Sequence, residues 1–355
     1  MARHRCAPIA VPKHPEGGLW VGGVSGHIPE YTHKLAGRRA TVSSHGAALL
    51  DLRLVAGEQT AQELTIVTSE WPTAVDWFAG STLAPWVNRL ADATWTNGER
   101  TFTAFINDPS NSCANHGLVF AKNFDVAAHS DRSVSLTANL RDVDAYDFDV
   151  DIKVTYALTD AGLRVTYDLT NLDRTPSGSP APFAVGSHPY LVTEPGSVFE
   201  FDAATEMAVD DRMLPTGKAV EREQPESAGT NPAGTNPAGT KQEHRSILVS
   251  QPDQYTDACF TGLPLNEANL VTARLTRPTH NAAVLLWQDA EFTHLQVFTL
   301  MHPEIAGGQT LLALEPQTAA ANALNTGDAL IWLKPGQTWQ ASWGLAIEEM
   351  RNDER

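Results

Sequence analysis

The stretch "VDIKVTYALTDAGLRVTYDLTNL", residues 150–172, decides the fold. Val150, Ile152, Val154, Tyr156 and Leu158 alternate with polar neighbours, the period of two that a half-buried strand requires. "TDAG", Thr159 to Gly162, is a turn signal, and the alternation resumes through Leu163, Val165, Tyr167 and Leu169. The segment therefore reads as an antiparallel hairpin. Runs of the same style recur outward in both directions: "RATVSSHGAALLDLRL", "SVSLTANL", "SVFEFDA", "LVTARL", "AVLLWQD", "HLQVFTL", "LIWLKPG" and "WQASWGLAI". The 25 Gly and 22 Pro supply the turns between them. Helical periodicity is nearly absent, with one turn expected over Thr318 to Leu324. Elements of one kind in close succession predict an all-β chain folded as a large antiparallel sandwich.

The chain has 355 residues, which by usual domain size suggests roughly two domains, although large all-β folds run as one unit well beyond that size. Two segments depart from the pattern. Residues 1–28 lack strand periodicity and read as a loosely held arm. "AGTNPAGTNPAGT", Ala228 to Thr240, repeats a unit of small, polar and turn-forming residues that buries too little apolar surface to offset its ordering entropy. Residues 221–245 are accordingly expected to form a flexible insertion. Strand pattern continues in the same style on both sides, so residues 29–350 are expected to form a single domain around it.

Composition excludes several classes of function. The 42 Asp and Glu against 25 Lys and Arg give a net charge of -17, the wrong sign for a nucleic-acid partner. No apolar run approaches the roughly 20 residues needed to span a bilayer. The N-terminal stretch has no apolar core of a secretory signal, so a cytoplasmic location is expected. Cys6, Cys113 and Cys259 are too widely separated for a disulfide framework or a metal-ligand pair. A neutral small molecule is the most comfortable partner for such a surface.

Several residues stand in unusual company. "LLALEPQTAA" runs four apolar residues into Glu315, with Pro316 closing the segment. An ionised carboxylate costs several kcal/mol to bury without a partner, so Glu315 is either a strand end that has reached water or a site. His188 follows the apolar run of "PFAVGSHPYL", held extended by Pro189. His116 sits between Asn115 and Gly117; a lone histidine in either setting is more often a bonded core or turn residue than a catalyst. Arg89, beside Asn88, suits a structural ion pair or a donor fork for a ligand. Asp257 lies next to an aromatic in "QYTDACF", and Gln296 sits inside a strand, where a buried amide needs partners. Trp86, three residues before Arg89, is placed to stack on a ligand or to fill core, and the second reading is favoured. The set suits general acid–base chemistry on a hydroxyl-rich neutral substrate. No HExxH, CxxC, GxSxG or glycine-rich phosphate loop is present.

In order, the chain carries "NRL" from Asn88, "NHG" from Asn115, "SHPYL" from Ser187, "TDACF" from Thr256, "LQVFT" from Leu295 and "ALEPQT" from Ala313. Together with the closing "AANALNTGDALIWLKPGQTWQASWGLAI", this resembles the aldose 1-epimerase (galactose mutarotase) family from about Tyr31 to Glu348. The resemblance implies a β-supersandwich and interconversion of the α and β anomers of a free sugar. It makes Glu315 the general base, His188 the general acid and His116 a group that holds and polarises the same region of the sugar. Arg89, Asp257 and Gln296 would bind hydroxyls, with Asn88 and Tyr190 nearby. It implies no metal or organic cofactor, a sugar as partner, and a monomer or homodimer.

Leu191 and Leu118 replace residues common in that family, an aromatic after "HPY" and a glycine after "HG", which leaves the preferred sugar open. Two other readings are carried. A hexose-6-phosphate 1-epimerase would need added cations, with Arg38, Arg39, Lys122 and Arg212 as candidates. A carbohydrate-binding protein would keep the pocket without turnover, and would not need the acid–base pair.

Overall fold

The computed structural model of the chain describes residues 30–35, 38–56, 62–68, 77–141, 143–174, 178–220, 243–249, 255–301 and 310–350. The arm expected over 1–28 and residues 221–242 of the expected insertion lie outside them. Residues 243–245 do not belong to a featureless insertion. They open the strand Glu243–Leu248, which pairs with Val198–Ala203. Arg245 is buried there, over the Phe260 ring and bonded to Glu243, so its alkyl stem takes a core position that composition alone does not reveal.

The hairpin forms in the register its pattern demands. Val150–Thr159 and Gly162–Asn171 pair with Val154 opposite Tyr167 and Thr159 opposite Gly162. Every second residue along the first strand is buried. The buried tyrosines bring their hydroxyls to backbone acceptors: Tyr156 donates to the Ala47 carbonyl at 2.6 Å and Tyr167 to that of Gly186 at 3.3 Å. Each ring thus fills core without leaving a hydroxyl unpaired.

This hairpin lies in a nine-stranded sheet that runs Asp125–His129, Ser133–Asn139, the hairpin, Thr338–Glu349, Ala282–Asp289, Leu270–Arg277, Val198–Ala203 and Glu243–Leu248. A twelve-stranded sheet runs Glu30–Leu35, Arg38–Ser43, Ala48–Ala56, Gln62–Thr68, Tyr190–Val192, Thr310–Gln317, His294–Met301, Asp257–Thr261, Thr205–Val209 and Pro215–Ala219, with Gly186–Ser187 and Thr82–Leu83 joined to its middle. One continuous apolar cluster draws on both, from Val42, Leu52 and Leu312 in one sheet to Val154, Tyr167 and Trp343 in the other. Trp86 belongs to this cluster, almost fully buried, its indole nitrogen donating to the Ala114 carbonyl at 3.2 Å.

Two local expectations need correction. Pro316 does not close its strand: the ladder continues, with Pro316 opposite Leu295 and Gln317 opposite His294. Proline's fixed φ is compatible with extended backbone. The helical turn spans Ala323–Thr326 rather than 318–324. Thr318 is tied to extended chain, exchanging hydrogen bonds with Val185, and Asn322, at φ 63°, donates its amide to the Arg89 carbonyl before the turn can start.

Candidate active site

The register of the large sheet builds one wall of the site. Cys259 faces Gln296, and Gln296 faces Glu315, so three neighbouring strands place these side chains in a row. Two residues along, and therefore on the same face, a second row holds Asp257, Phe298, Ala313 and Tyr190. Asp257 and Glu315, 58 positions apart in sequence, thus share one face by pairing alone.

Glu315 sits mid-sheet, 2% exposed. Its Oε2 accepts the Gln317 amide at 2.8 Å, and its Oε1 lies 3.3 Å from His188 Nε2. His188 hangs between Gly186–Ser187 and Tyr190–Val192, its backbone clamped by Gly80 and Ser81 and its ring 4.9 Å from that of Tyr190. Gln296 donates to Asp257 Oδ1 at 2.7 Å, and the Tyr255 hydroxyl reaches Asp257 Oδ2 at 3.5 Å.

Loops build the facing wall. His116 has φ +64° and its amide donates to the carbonyl of Asn88, itself at φ +51°; the two sit at the end of the short ribbon Arg89–Ala91 with Cys113–Asn115. Gly117 follows at φ +77°, where a Cβ would meet the Ala84 carbonyl at 2.1 Å, so only glycine fits the approach. The His116 and His188 rings stand edge to face with centroids 5.1 Å apart. Arg89 is fixed by Asp108, Nε to Oδ2 at 2.8 Å, and Asn88 accepts from the Arg89 amide at 2.8 Å. Asn88 is thereby oriented toward the arginine.

Burial dominates the electrostatics. It drives the Glu315 carboxyl well above its ordinary value, reinforced by the charge of Asp257, while the Gln317 hydrogen bond and Arg89 act the other way. It raises Asp257 as well, against the pull of Arg89 and of the Gln296 bond. His188 is pushed down to about 4 by burial. His116 lies well below the usual imidazole value through burial, then the nearness of His188 and Arg89. Both imidazoles are therefore neutral at pH 7. The Cys259 thiol is pushed up to about 12 by burial and by Glu315 and Asp257, and so stays protonated. The neutral His188 imidazole and the Glu315 carboxyl, its pKa raised by burial, meet directly and form a buried acid–base pair.

The chain matches the family model for aldose 1-epimerase over residues 30–345. It belongs to the aldose 1-epimerase family. Among solved structures it is similar to a GalM/aldose epimerase homologue from C. elegans, with TM-score 0.69 and 19% identity over 91% of this chain and 100% of that one. A galactose mutarotase-like protein from Clostridium acetobutylicum gives TM-score 0.68 and 19% identity over 91% and 99%. These likenesses carry the galactose mutarotase-like fold. The uncharacterized Escherichia coli (strain K12) protein YihR is 27% identical over 304 residues, 84% of this chain and 86% of that protein. Family and fold make this an isomerase-type sugar epimerase in general terms. Among the described residues no helix is long and apolar enough to cross a membrane.

Within this epimerase fold, the residues singled out in the sequence converge. Glu315, His188 and His116 each present an atom within 4.8 Å of the others, Asp257 and Gln296 adjoin them on the sheet, and Arg89 lies close enough to influence both carboxyls. Tyr190 packs beneath His188, fully buried, and is wall more than contact. Three candidate cations lie in other bonds. Arg38 donates to the Asp160 carbonyl, Arg39 to Asp51, and Arg212 to Asp92 and to the carbonyls of Asn111 and Ser112. Three further participants were not singled out in the sequence. Phe78 packs 4.6 Å from the His116 ring and 6.4 Å from that of His188, brought there by a left-handed residue (φ +57°) in an unremarkable "DWFAG". Gln317 and Asp108 orient Glu315 and Arg89. Gln317 was readable as the second polar residue of "EPQ", since every other residue of a strand shares a face.

Proposed function

We propose that the protein is an aldose 1-epimerase acting on a free, uncharged aldohexose by ring opening and closure. The observation that carries this reading is the 3.3 Å contact between His188 Nε2 and Glu315 Oε1, buried beside groups suited to hydroxyls. The pair holds one proton. Burial favours it on Glu315; moved across the contact, it leaves Glu315 as carboxylate and His188 as imidazolium. Glu315 then takes the proton of the C1 hydroxyl while His188 gives one to the ring oxygen. The C1–O5 bond breaks and the C1 carbonyl forms. Rotation about C1–C2 presents the other face, O5 attacks it, and both protons return. After opening, Glu315 is protonated and His188 neutral, the arrangement burial favours anyway. Burial thus stabilises the protein's half of the open-chain state, while the positive charge of Arg89 supports the carboxylate needed for attack.

Asp257 accepts from sugar hydroxyls, Gln296 and Arg89 donate to them, and His116, neutral, fixes the oxygen at C1. The engagement of Arg38, Arg39 and Arg212 elsewhere, with Asp108, Asp257 and Glu315 around Arg89, favours an uncharged sugar over a 6-phosphate. The test follows the optical rotation of fresh α-anomers. Glu315→Gln should lose roughly 10²–10⁴ of the rate and still bind sugar. Equal rates in the two proteins would instead favour a carbohydrate-binding role, and turnover of glucose 6-phosphate in preference to glucose would favour the phosphorylated substrate.

A further inference from the structure

The three groups at the centre of the site come from residues 116, 188 and 315, too far apart in sequence for any metal-ligand spacing to announce them. In the fold they form two imidazoles and one carboxylate, all buried, with one potential ligand atom from each within 4.8 Å of the others. Tetrahedral zinc with ligand bonds of about 2.0–2.2 Å holds its ligand atoms about 3.4 Å from one another. The Glu315 Oε1 to His188 Nε2 distance, 3.3 Å, already meets that spacing. The His116 ring needs to close by at most about 1.4 Å, the difference between 4.8 Å and that spacing. Gln317 holds Oε2 and leaves Oε1 turned toward the histidine, the kind of outer hydrogen bond that orients a ligating carboxylate. The Nδ1 atoms of both histidines are buried with no hydrogen-bond partner on a neighbouring residue.

We propose that His116, His188 and Glu315 form a three-ligand site for Zn²⁺, and that the ion occupies the place of the reacting sugar and so inhibits the enzyme reversibly. The donor set selects the metal. Two nitrogens and one oxygen suit zinc and its borderline neighbours, whereas Mg²⁺ and Ca²⁺ require more oxygen ligands. The missing outer bonds on the two rings make this a weaker site than a resident structural zinc. Three protein ligands leave the fourth position of a tetrahedral zinc without a protein ligand. The binding half of the proposal stands on geometry; that occupancy stops turnover rests on Glu315 and His188 being the acid–base pair.

The experiment uses the full chain stripped with EDTA. CoCl₂ is added first and followed by visible absorption, because cobalt in such a site gives d–d bands that report its coordination. ZnCl₂ is then titrated to displace it. The expected result is one equivalent of cobalt, displaced by zinc and untouched by excess MgCl₂. Affinity should fall at least about tenfold in His116→Gln, with far-UV circular dichroism checking its fold; His188→Gln replaces it should the first variant not fold. Absent bands, or bands unchanged in the folded variant, would overturn the site. In parallel, zinc should slow anomer exchange in proportion to occupancy, with recovery on EDTA; a constant rate at full occupancy would overturn the inhibition. Metal binding without any turnover of free hexoses would instead count against the epimerase reading and leave the site standing.

Discussion

Replacing Asp257 by Asn removes a charge from the face that carries Glu315, and the sheet geometry sets the size of the effect. The two residues are two strands apart, at roughly 4.8 Å per strand, and two positions apart along the chain, at roughly 3.4 Å each, or about 12 Å in all. At an effective dielectric of about 20, two unit charges at that distance interact by about 1.4 kcal/mol, about one pH unit. The sign follows from the chemistry. The negative charge of Asp257 holds the Glu315 carboxyl up, so its loss lets Glu315 ionise at lower pH. Activity needs one proton on the pair, so kcat/KM should fall below about pH 4, where His188 gains a second, and above the raised value of Glu315, where the last is lost. In Asp257→Asn the alkaline limb should move down by about one unit and the acid limb should stay. The plateau will drop because a hydroxyl contact is lost, but a limb's position reports ionisation of the free enzyme, independent of its height. The assay is polarimetry across pH with EDTA present and the buffer-catalysed rate subtracted. An alkaline limb that stays put, or moves up, would refute the account of how burial and Asp257 set the carboxyl.

Three further outcomes are expected. Gly117→Ala should cost about 2 kcal/mol or more and depress turnover through His116, whereas Gly98→Ala, with similar φ (+61°) but open space around it, should cost about 1 kcal/mol and leave turnover alone; thermal melts and polarimetry compare the two. Arg212→Ala releases the loop that carries Asp108 and should raise KM a few-fold with little change in kcat, read from initial rates over a range of sugar concentration. Glu194→Gln leaves Arg277 buried without its 3.3 Å counter-charge and should cost about 3 kcal/mol, lowering Tm by roughly 4–5 °C in a domain of this size. Burial alone would raise the Glu194 carboxyl, but the His280 hydrogen bond and Arg277 outweigh it and hold it below 4.5. Its stabilisation is therefore present above that pH and fades as pH falls through the folded value, which melts at pH 7 and pH 4 will separate.

Strand identity was legible because period two is a local property: the hairpin at 150–171 stands in sequence as it stands in the fold. The residues of the site were legible as types in odd company, and through their order along the chain. Their meeting was not. That Asp257 and Glu315 share a face depends on a register among three strands, the first of which is followed by two strands of the other sheet before its partner His294–Met301, and no local pattern encodes that pairing. The error at Pro316 came from treating proline as a stop where an extended strand tolerates it. Phe78 escaped notice because its role depends on a backbone turn at a residue type that gives no hint of one. The start of Glu243–Leu248 was misplaced because a charged Glu-His-Arg run hid an arginine whose stem packs inward.

The site has two unlike walls. Glu315, Gln296 and Asp257 ride on interior strands of the large sheet, bonded on both flanks, whereas His116 and Arg89 stand on short ribbons tied down by a few loop contacts. In native-state hydrogen exchange, the amides around Glu315 should be released only with global unfolding, and those around His116 through smaller openings at lower cost. Urea should then abolish activity in two stages, first as the histidine side loosens and later as the sheet melts. Sequence drift that retunes which sugar enters has a permissive shore on the loop side and a rigid one opposite, so new specificities have room to arise without disturbing the proton relay.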